Sequence, residues 1–254
     1  MSDSLKQLIS MSNALGDPQN DYVILGEGNT SARADDASFW VKASGTSLNG
    51  IGEAGFVQVK FEPMLALLEM AEVTDTAVTA TLTAATINAA PNVRPSVEAT
   101  FHAVALTTAA AQFVGHTHPT AVNSILCSEK AEEAFSGRLF PDEIVVCGPA
   151  PIFVPYTDPG IPLARVIRSK ILAYQDEYGR FPKLILMQNH GMIALGQTAA
   201  EVLRITAMAV KTARILLGAY TVSAPRFLTP EDVKRIDTRP DEHFRQRMLA
   251  RKKA

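Results

Sequence analysis

His116-Thr117-His118-Pro119, together with a lone His190 that closes an apolar run before Gly191, constrains this chain more than any other feature. If Gly115 to His118 is extended, alternate side chains share a face, and His116 and His118 present two imidazoles to one ion. His190, ending Leu184-Ile185-Leu186-Met187-Gln188-Asn189-His190, then supplies a third from a neighbouring strand end. Three neutral imidazoles with an open fourth position suit a catalytic zinc-type site, where the vacancy lets the metal polarise a carbonyl or hydroxyl oxygen. The alternative is a set of ordinary half-buried histidines on strands; the chain has five in all.

The hydrophobic periods around these residues read as alternating helices and strands. Ser4 to Ala14 has helical spacing through Leu5, Leu8, Ile9 and Met11, stopped by Gly16-Asp17-Pro18. Gly26 to Arg33 is a glycine and hydroxyl turn feeding a strand, and Ser38 to Ala43 is its hairpin partner across Ala34-Asp35-Asp36-Ala37. Phe56 to Phe61 alternates as a strand, Pro63 to Glu72 is a short helix, and Asp75 to Ala90 reads as helix although its threonines and alanines pull in opposite directions. A helix from Pro95 through Ala111 has Ser96 as its N-cap and Glu98 in its first turn. Phe113 to His118 is a strand, Pro119 to Ser128 a helix, and Ile144-Val145-Val146 a short strand. Phe153 to Tyr156 is another strand, with Pro at an edge. Ile161 to Tyr178 is a helix, Lys183 to His190 a buried strand with Met192 to Leu195 as its return, and Thr198 to Ala219 a long helix. The expected fold is α/β: one domain over residues 1–254, with a central, mainly antiparallel sheet flanked by helices and a C-terminal tail from about 225.

Charge narrows the partners. Lys plus Arg number 24 against 26 Asp plus Glu, a net charge of -2, which gives no general electrostatic case for nucleic acid. The basic stretch Arg245 to Lys253 reads as a solvated helix end or frayed tail. Cys127 and Cys147 have neither metal-ligand spacing nor a disulfide framework, and no apolar run reaches the length of a membrane span. A soluble cytoplasmic protein binding small molecules or copies of itself is expected.

Two further features bear on chemistry. Glu98 stands beside Ala99 and Phe101, apolar company that would raise its pKa toward a general acid/base role; a solvated helix-start glutamate is the plainer alternative. The loops Gly28-Asn29-Thr30-Ser31 and Ser44-Gly45-Thr46-Ser47 offer amides and hydroxyls, the chemistry of an uncharged anion cradle, or simply turns. Neither is a P-loop or a dinucleotide-binding run.

Taken in order, Gly-Asn-Thr-Ser, Lys-Ala-Ser-Gly-Thr, Arg-Pro-Ser-Val-Glu with His102 four residues after the glutamate, His-Thr-His-Pro and Asn-His-Gly resemble the class II aldolase/adducin family over about residues 20 to 220. The Arg94 to Glu98 and His116 to Pro119 contexts look closest to rhamnulose-phosphate and fuculose-phosphate aldolase-like members. The resemblance implies a class II (zinc-dependent) aldolase: His116, His118 and His190 as ligands of a divalent metal, usually zinc, and Glu98 as general base and acid. It implies Gly28, Asn29, Thr30, Ser44, Gly45, Thr46 and Ser96 as substrate-binding residues that cradle the phosphate of a small sugar phosphate. The implied reaction breaks a carbon-carbon bond to leave an enediolate whose charge the metal stabilises. A sugar-phosphate 4-epimerase, dehydratase or decarboxylase with the same metal site, or a non-catalytic adducin-like module, shares the pattern. His102 reads as a core-facing or site-backing histidine. A homotetramer with active sites at its interfaces is implied too.

Two departures stand out. Val97 occupies a position where members often carry Ser, removing one hydroxyl from the cradle. The tyrosine that fuculose-type members use as an acid has no counterpart between His118 and Cys147, where Asp142 or Glu143 is the substitute, or else part of a surface turn.

Overall fold

A computed structural model describes residues 1–88 and 93–241. The basic stretch from Arg245 lies outside the described residues.

Eight strands form one mixed sheet, flanked on both faces by helices. In chain order the elements are α1 (Asp3–Leu15), β1 (Asn29–Arg33), β2 (Ser38–Lys42), β3 (Phe56–Lys60), α2 (Phe61–Glu69), α3 (Asp75–Ala85) and β4 (Thr86–Asn88). There follow α4 (Ala99–Thr107), β5 (Phe113–Thr117), α5 (Thr120–Leu126), α6 (Ala131–Ala134), α7 (Pro141–Cys147) and β6 (Ile152–Val154). The last are α8 (Ile161–Tyr178), β7 (Leu184–Met187), β8 (Gly191–Gly196), α9 (Ala199–Val222) and α10 (Pro230–Asp237). Strand order is β4-β3-β2-β1-β5-β8-β7-β6, and only β6 and β7 run parallel.

Alternation along the strands feeds two cores. Phe39, Val41, Val114, Ile185, Met187, Ile193 and Leu195 point to the layer containing α2, α3, α4 and α8. Their neighbours Ala32, Phe113, Leu184, Leu186, Met192 and Ala194 point to the layer of α1, α5, α7 and α9. The register sets which residues meet at one end of the sheet. Asn29 is opposite His116, Thr117 is opposite Met192, and Met187 is opposite Gly191, so the start of β1, the end of β5 and the β7–β8 turn converge.

Four expectations need correction. The Ile144-Val145-Val146 run is helical, within α7: Pro141 in the first turn presets φ, and Asp142 and Glu143 complement the amino-terminal end of the dipole. The helix expected from Pro95 to Ala111 is only Ala99–Thr107. Pro95 instead bridges Ala43 in extended form, which leaves Glu98 as the residue just before the helix. The stretch from Asp75 to Ala90 splits into α3 and the short strand β4, which extends the sheet beside β3. The buried strand expected from Lys183 to His190 is only Leu184–Met187, and Gln188 to His190 form a turn.

Candidate metal centre and carboxylate

His116 sits on β5 and His118 just beyond it, both on the α4 face, while His190 reaches them from the β7–β8 turn. One ligand atom from each of the three lies within 4.8 Å of the others. The turn explains the Asn-His-Gly run. Asn189 adopts a left-handed conformation (φ 55°), which Asn tolerates better than most residues. A Cβ on Gly191 would stand 2.5 Å from His118 Cδ2 and 2.6 Å from the Thr117 carbonyl oxygen, so no larger residue fits there. Gly28 is tight for the same reason: its φ is +67°, and a Cβ would meet the His116 carbonyl oxygen at 2.8 Å. Asn123 Nδ2 donates to the His190 carbonyl at 3.0 Å, fixing the turn from α5.

The partners of the outer ring nitrogens decide what the inner ones offer. His116 Nδ1 faces the Met192 carbonyl at 3.0 Å, an acceptor only, so the proton is on Nδ1 and Nε2 carries a lone pair. His118 Nδ1 donates to Glu27 Oε2 at 3.1 Å, and its Nε2 is likewise unprotonated. Burial lowers both pKa values, that of His116 to about 3, keeping the rings neutral. The two Nε2 atoms are 2.9 Å apart. Two lone pairs face one another with no hydrogen to share, an arrangement that a cation satisfies. With His190, these two nitrogens would be the ligands of a divalent cation, which would supply a Lewis acid at this end of the sheet.

Glu98 completes the cluster. Its Oε1 is 3.2 Å from His190 Nε2, and its Oε2 is 3.6 Å from His116 Nε2 and accepts from Asn29 Nδ2 at 2.6 Å. The apolar neighbours were expected to raise its pKa. Burial does push it up, but the hydrogen bonds from His190 and the Asn29 amide pull the carboxyl below the usual range.

The expected cradle residues divide. The segment bearing Ser96 runs beside the second loop: Ser44 N donates to Arg94 O at 2.8 Å, and Ser96 N to Lys42 O at 3.3 Å. Ser44 and Gly45 are exposed at the loop tip, with Gly45 at φ +78°. Thr46 Oγ1 donates to its own loop, to Ala43 O at 2.7 Å. Asn29 is buried with both polar atoms engaged, Nδ2 on Glu98 and Ser96 (3.3 Å), Oδ1 on His102. It braces the carboxylate more than it offers itself to an anion. Thr30 does not join the site: alternation turns it to the opposite face, where Oγ1 lies 2.6 Å from Ser12 Oγ of α1. Glu143 is buried in a pair with Arg138 Nη1 at 2.8 Å, and its other oxygen accepts from Leu139 N, so it is spent on structure.

Sequence reasoning assigned no role to Glu27 or Lys42. Glu27 stands in the glycine turn, and its contact with His118 exists only through the register of β1 on β5. Lys42 is almost wholly buried, and its Nζ donates to Gly26 O at 3.1 Å and Thr46 O at 2.5 Å, tying the two loops together. Burial lowers its pKa against the pull of Glu98. The one available signal for Lys42 was a lysine inside an otherwise apolar strand.

The profile of the Class II Aldolase and Adducin N-terminal domain matches residues 6–217. This chain belongs to the class II aldolase and adducin family. A curated relative, the uncharacterized oxidoreductase YuxG of Bacillus subtilis (strain 168), is 27% identical over 207 residues, 77% of this chain. The matched part is 27% of that relative's own length. Solved structures share the class II aldolase fold. The N-terminal class II aldolase domain of a conserved Thermoplasma acidophilum protein has a TM-score of 0.68 and 23% identity, covering 85% of this chain and 95% of that one. YgbL of Klebsiella pneumoniae, a candidate aldolase/epimerase/decarboxylase, has a TM-score of 0.69 and 19% identity over 92% and 97%. An L-fuculose 1-phosphate aldolase gives 0.69 and 17% over 93% and 95%.

Proposed function

We propose that this family member is a zinc-dependent aldolase, cleaving or forming a carbon-carbon bond in a small sugar phosphate. The observation that carries the reading is the carboxylate of Glu98 placed 3.2 Å from one imidazole and 3.6 Å from another of a convergent three-histidine set. His116, His118 and His190 would hold a divalent cation, which would supply a Lewis acid toward negative charge on a substrate carbonyl oxygen. Glu98, kept ionised by its histidine and amide neighbours, removes the proton from the carbon beside that carbonyl in the condensation direction and returns it in cleavage. Ser44, Gly45 and Ser96 receive the phosphate, with the Lys42 ammonium tying the Ser44 loop to the Gly26 turn and adding the positive charge that their side chains lack. Binding the phosphate away from the reacting bond holds the carbonyl in place.

The same reading makes the working molecule a homotetramer with the site at a subunit boundary. Ile24, Leu25 and Val97, next to the groups just described, are 63%, 85% and 56% exposed, apolar surface that another copy would cover. The two cysteines form no disulfide, which supports the cytoplasm as the location. Among the described residues no helix is long and apolar enough to cross a membrane.

Product analysis of the zinc-loaded protein with a panel of ketose 1-phosphates tests the activity. Release of dihydroxyacetone phosphate, lost in Glu98→Gln while metal content is retained, is expected. Epimerisation, or loss of water or carbon dioxide without that product, would replace the aldolase by another chemistry of the same site. Less than one equivalent of zinc, unchanged by His116→Ala, would favour a non-catalytic module.

A further inference from the structure

We propose that His102 is a positioning residue, acting through Asn29 to orient the Glu98 carboxylate; this rests on the reading of Glu98 as the proton carrier. Ser31 Oγ lies 2.6 Å from His102 Nδ1, His102 Nε2 meets Asn29 Oδ1, and Asn29 Nδ2 is 2.6 Å from Glu98 Oε2. Ser31, His102 and Asn29 are all buried. A carboxylate accepts only, so Asn29 must turn its NH2 toward Glu98 and its oxygen toward the histidine. The oxygen in turn requires a hydrogen on His102 Nε2. A neutral imidazole carries one, so Nδ1 is bare and receives the Ser31 hydroxyl proton. Each link fixes the direction of the next.

The geometry makes this more than core packing. Asn29 and Ser31 are alternate residues on one face of β1, and His102 follows Glu98 by one helical turn. The relay therefore ties the strand entering the site to the helix whose start carries the carboxylate. Phe101 stacks on His102 with centroids 4.7 Å apart and meets His116 edge-on at 5.4 Å, which restrains the ring. Were the Asn29 amide to flip, its oxygen would face Glu98 Oε2 across a hydrogen-bond distance, and the carboxylate would rotate away from His190. No proton passes along the relay; it sets orientation.

Long-range 1H–15N spectra of the zinc-loaded full chain, labelled at histidine, read the tautomer directly. His102 is expected neutral with its hydrogen on Nε2 at neutral pH, and Ser31→Ala is expected to keep that tautomer, because Asn29 Oδ1 sets it. A hydrogen on Nδ1 in the parent protein overturns the proposal. Gln places a donor near Nε2 and Leu does not. The Asn29 side-chain amide signals should stay protected from solvent exchange in His102→Gln and lose protection in His102→Leu; equal loss in both overturns the relay. With substrate, His102→Leu should lower kcat about 10- to 100-fold with KM nearly unchanged, and His102→Gln should recover most of it. Should His102→Leu fail to fold, the parent and Ser31→Ala spectra still decide. Should the parent turn over no substrate, the aldolase reading fails while the spectra judge the relay independently.

Discussion

At the scale of residues, the site is governed by where protons cannot go. Met192 O and Glu27 fix hydrogens on the outer nitrogens of His116 and His118, so the inner nitrogens are bare. Partners of this kind raise ligand basicity and hold ring orientation. Glu27→Ala should accordingly weaken zinc affinity by about 10- to 100-fold in a chelator competition titration; unchanged affinity would mean that the carboxylate is incidental. His102 gives a pH dependence whose sign is fixed. Burial holds its folded pKa at about 3, below the ordinary 6.5, so below about pH 6.5 the unfolded chain takes up a proton that the folded chain refuses. Its contribution is complete above that pH and is lost progressively as the pH falls toward 3. Urea titrations of the metal-free protein between pH 6.5 and 4.5 should show His102→Gln with a shallower decline than the parent, by about 1.4 kcal/mol per pH unit. Parallel slopes would show His102 protonated in the fold. The convergence of the histidine trio and Glu98 was legible because their motifs follow one another as they do in the family that the chain resembles. Glu27, Lys42 and the two engaged ends of Asn29 were not, because their roles come from cross-strand register rather than chain neighbours.

At the scale of elements, β5 is the axis of the site, clamped between β1 and β8 and covered on its far face by α1 and α9. Gly115 lets those helices approach: a Cβ there would lie 2.6 Å from Val202 Cγ1 and 3.0 Å from Leu15 Cδ1. Gly115→Ala should cost about 1–3 kcal/mol by overpacking, seen as a lower urea midpoint at an unchanged slope. An unshifted midpoint would show that the helices give way freely. Long periodic segments such as α1, α8 and α9, and the β1–β2 hairpin, could be read from spacing because burial on one face enforces it. Short elements could not. Three β-branched residues at 144–146 suggest a strand until the proline and acidic first turn at Pro141–Glu143, and the buried Arg138–Glu143 pair, win locally. The start of α4 was missed because Pro95 prefers the extended bridge to Ala43, and that pairing is long-range. It is also what brings Ser96 and Glu98 beside the Ser44 loop.

At the scale of the molecule, the candidate ligands belong to segments far apart in sequence. His116 and His118 come from β5 and its end, His190 from the β7–β8 turn, and Glu98 approaches from the start of α4. A bound ion therefore links segments that separate on unfolding, and the unfolded chain holds no preformed three-imidazole site. Binding to the folded state alone stabilises by about 2.7 kcal/mol at a free metal concentration 100 times Kd. For a chain of this size that corresponds to a rise in Tm of roughly 5–10 °C. Thermal scans of chelator-stripped protein across a zinc series should show Tm climbing with the logarithm of zinc concentration once the site fills. His116→Ala should flatten that dependence. A concentration-dependent rise that persists unchanged in His116→Ala would place the stabilising ion elsewhere, and a flat response in the parent protein would mean that the three imidazoles hold no zinc. The slope also separates linkage from a nonspecific salt effect: one ion per folded chain sets the stabilisation at RT ln(1 + [Zn]/Kd), and sodium chloride at matched ionic strength should leave the shift in place.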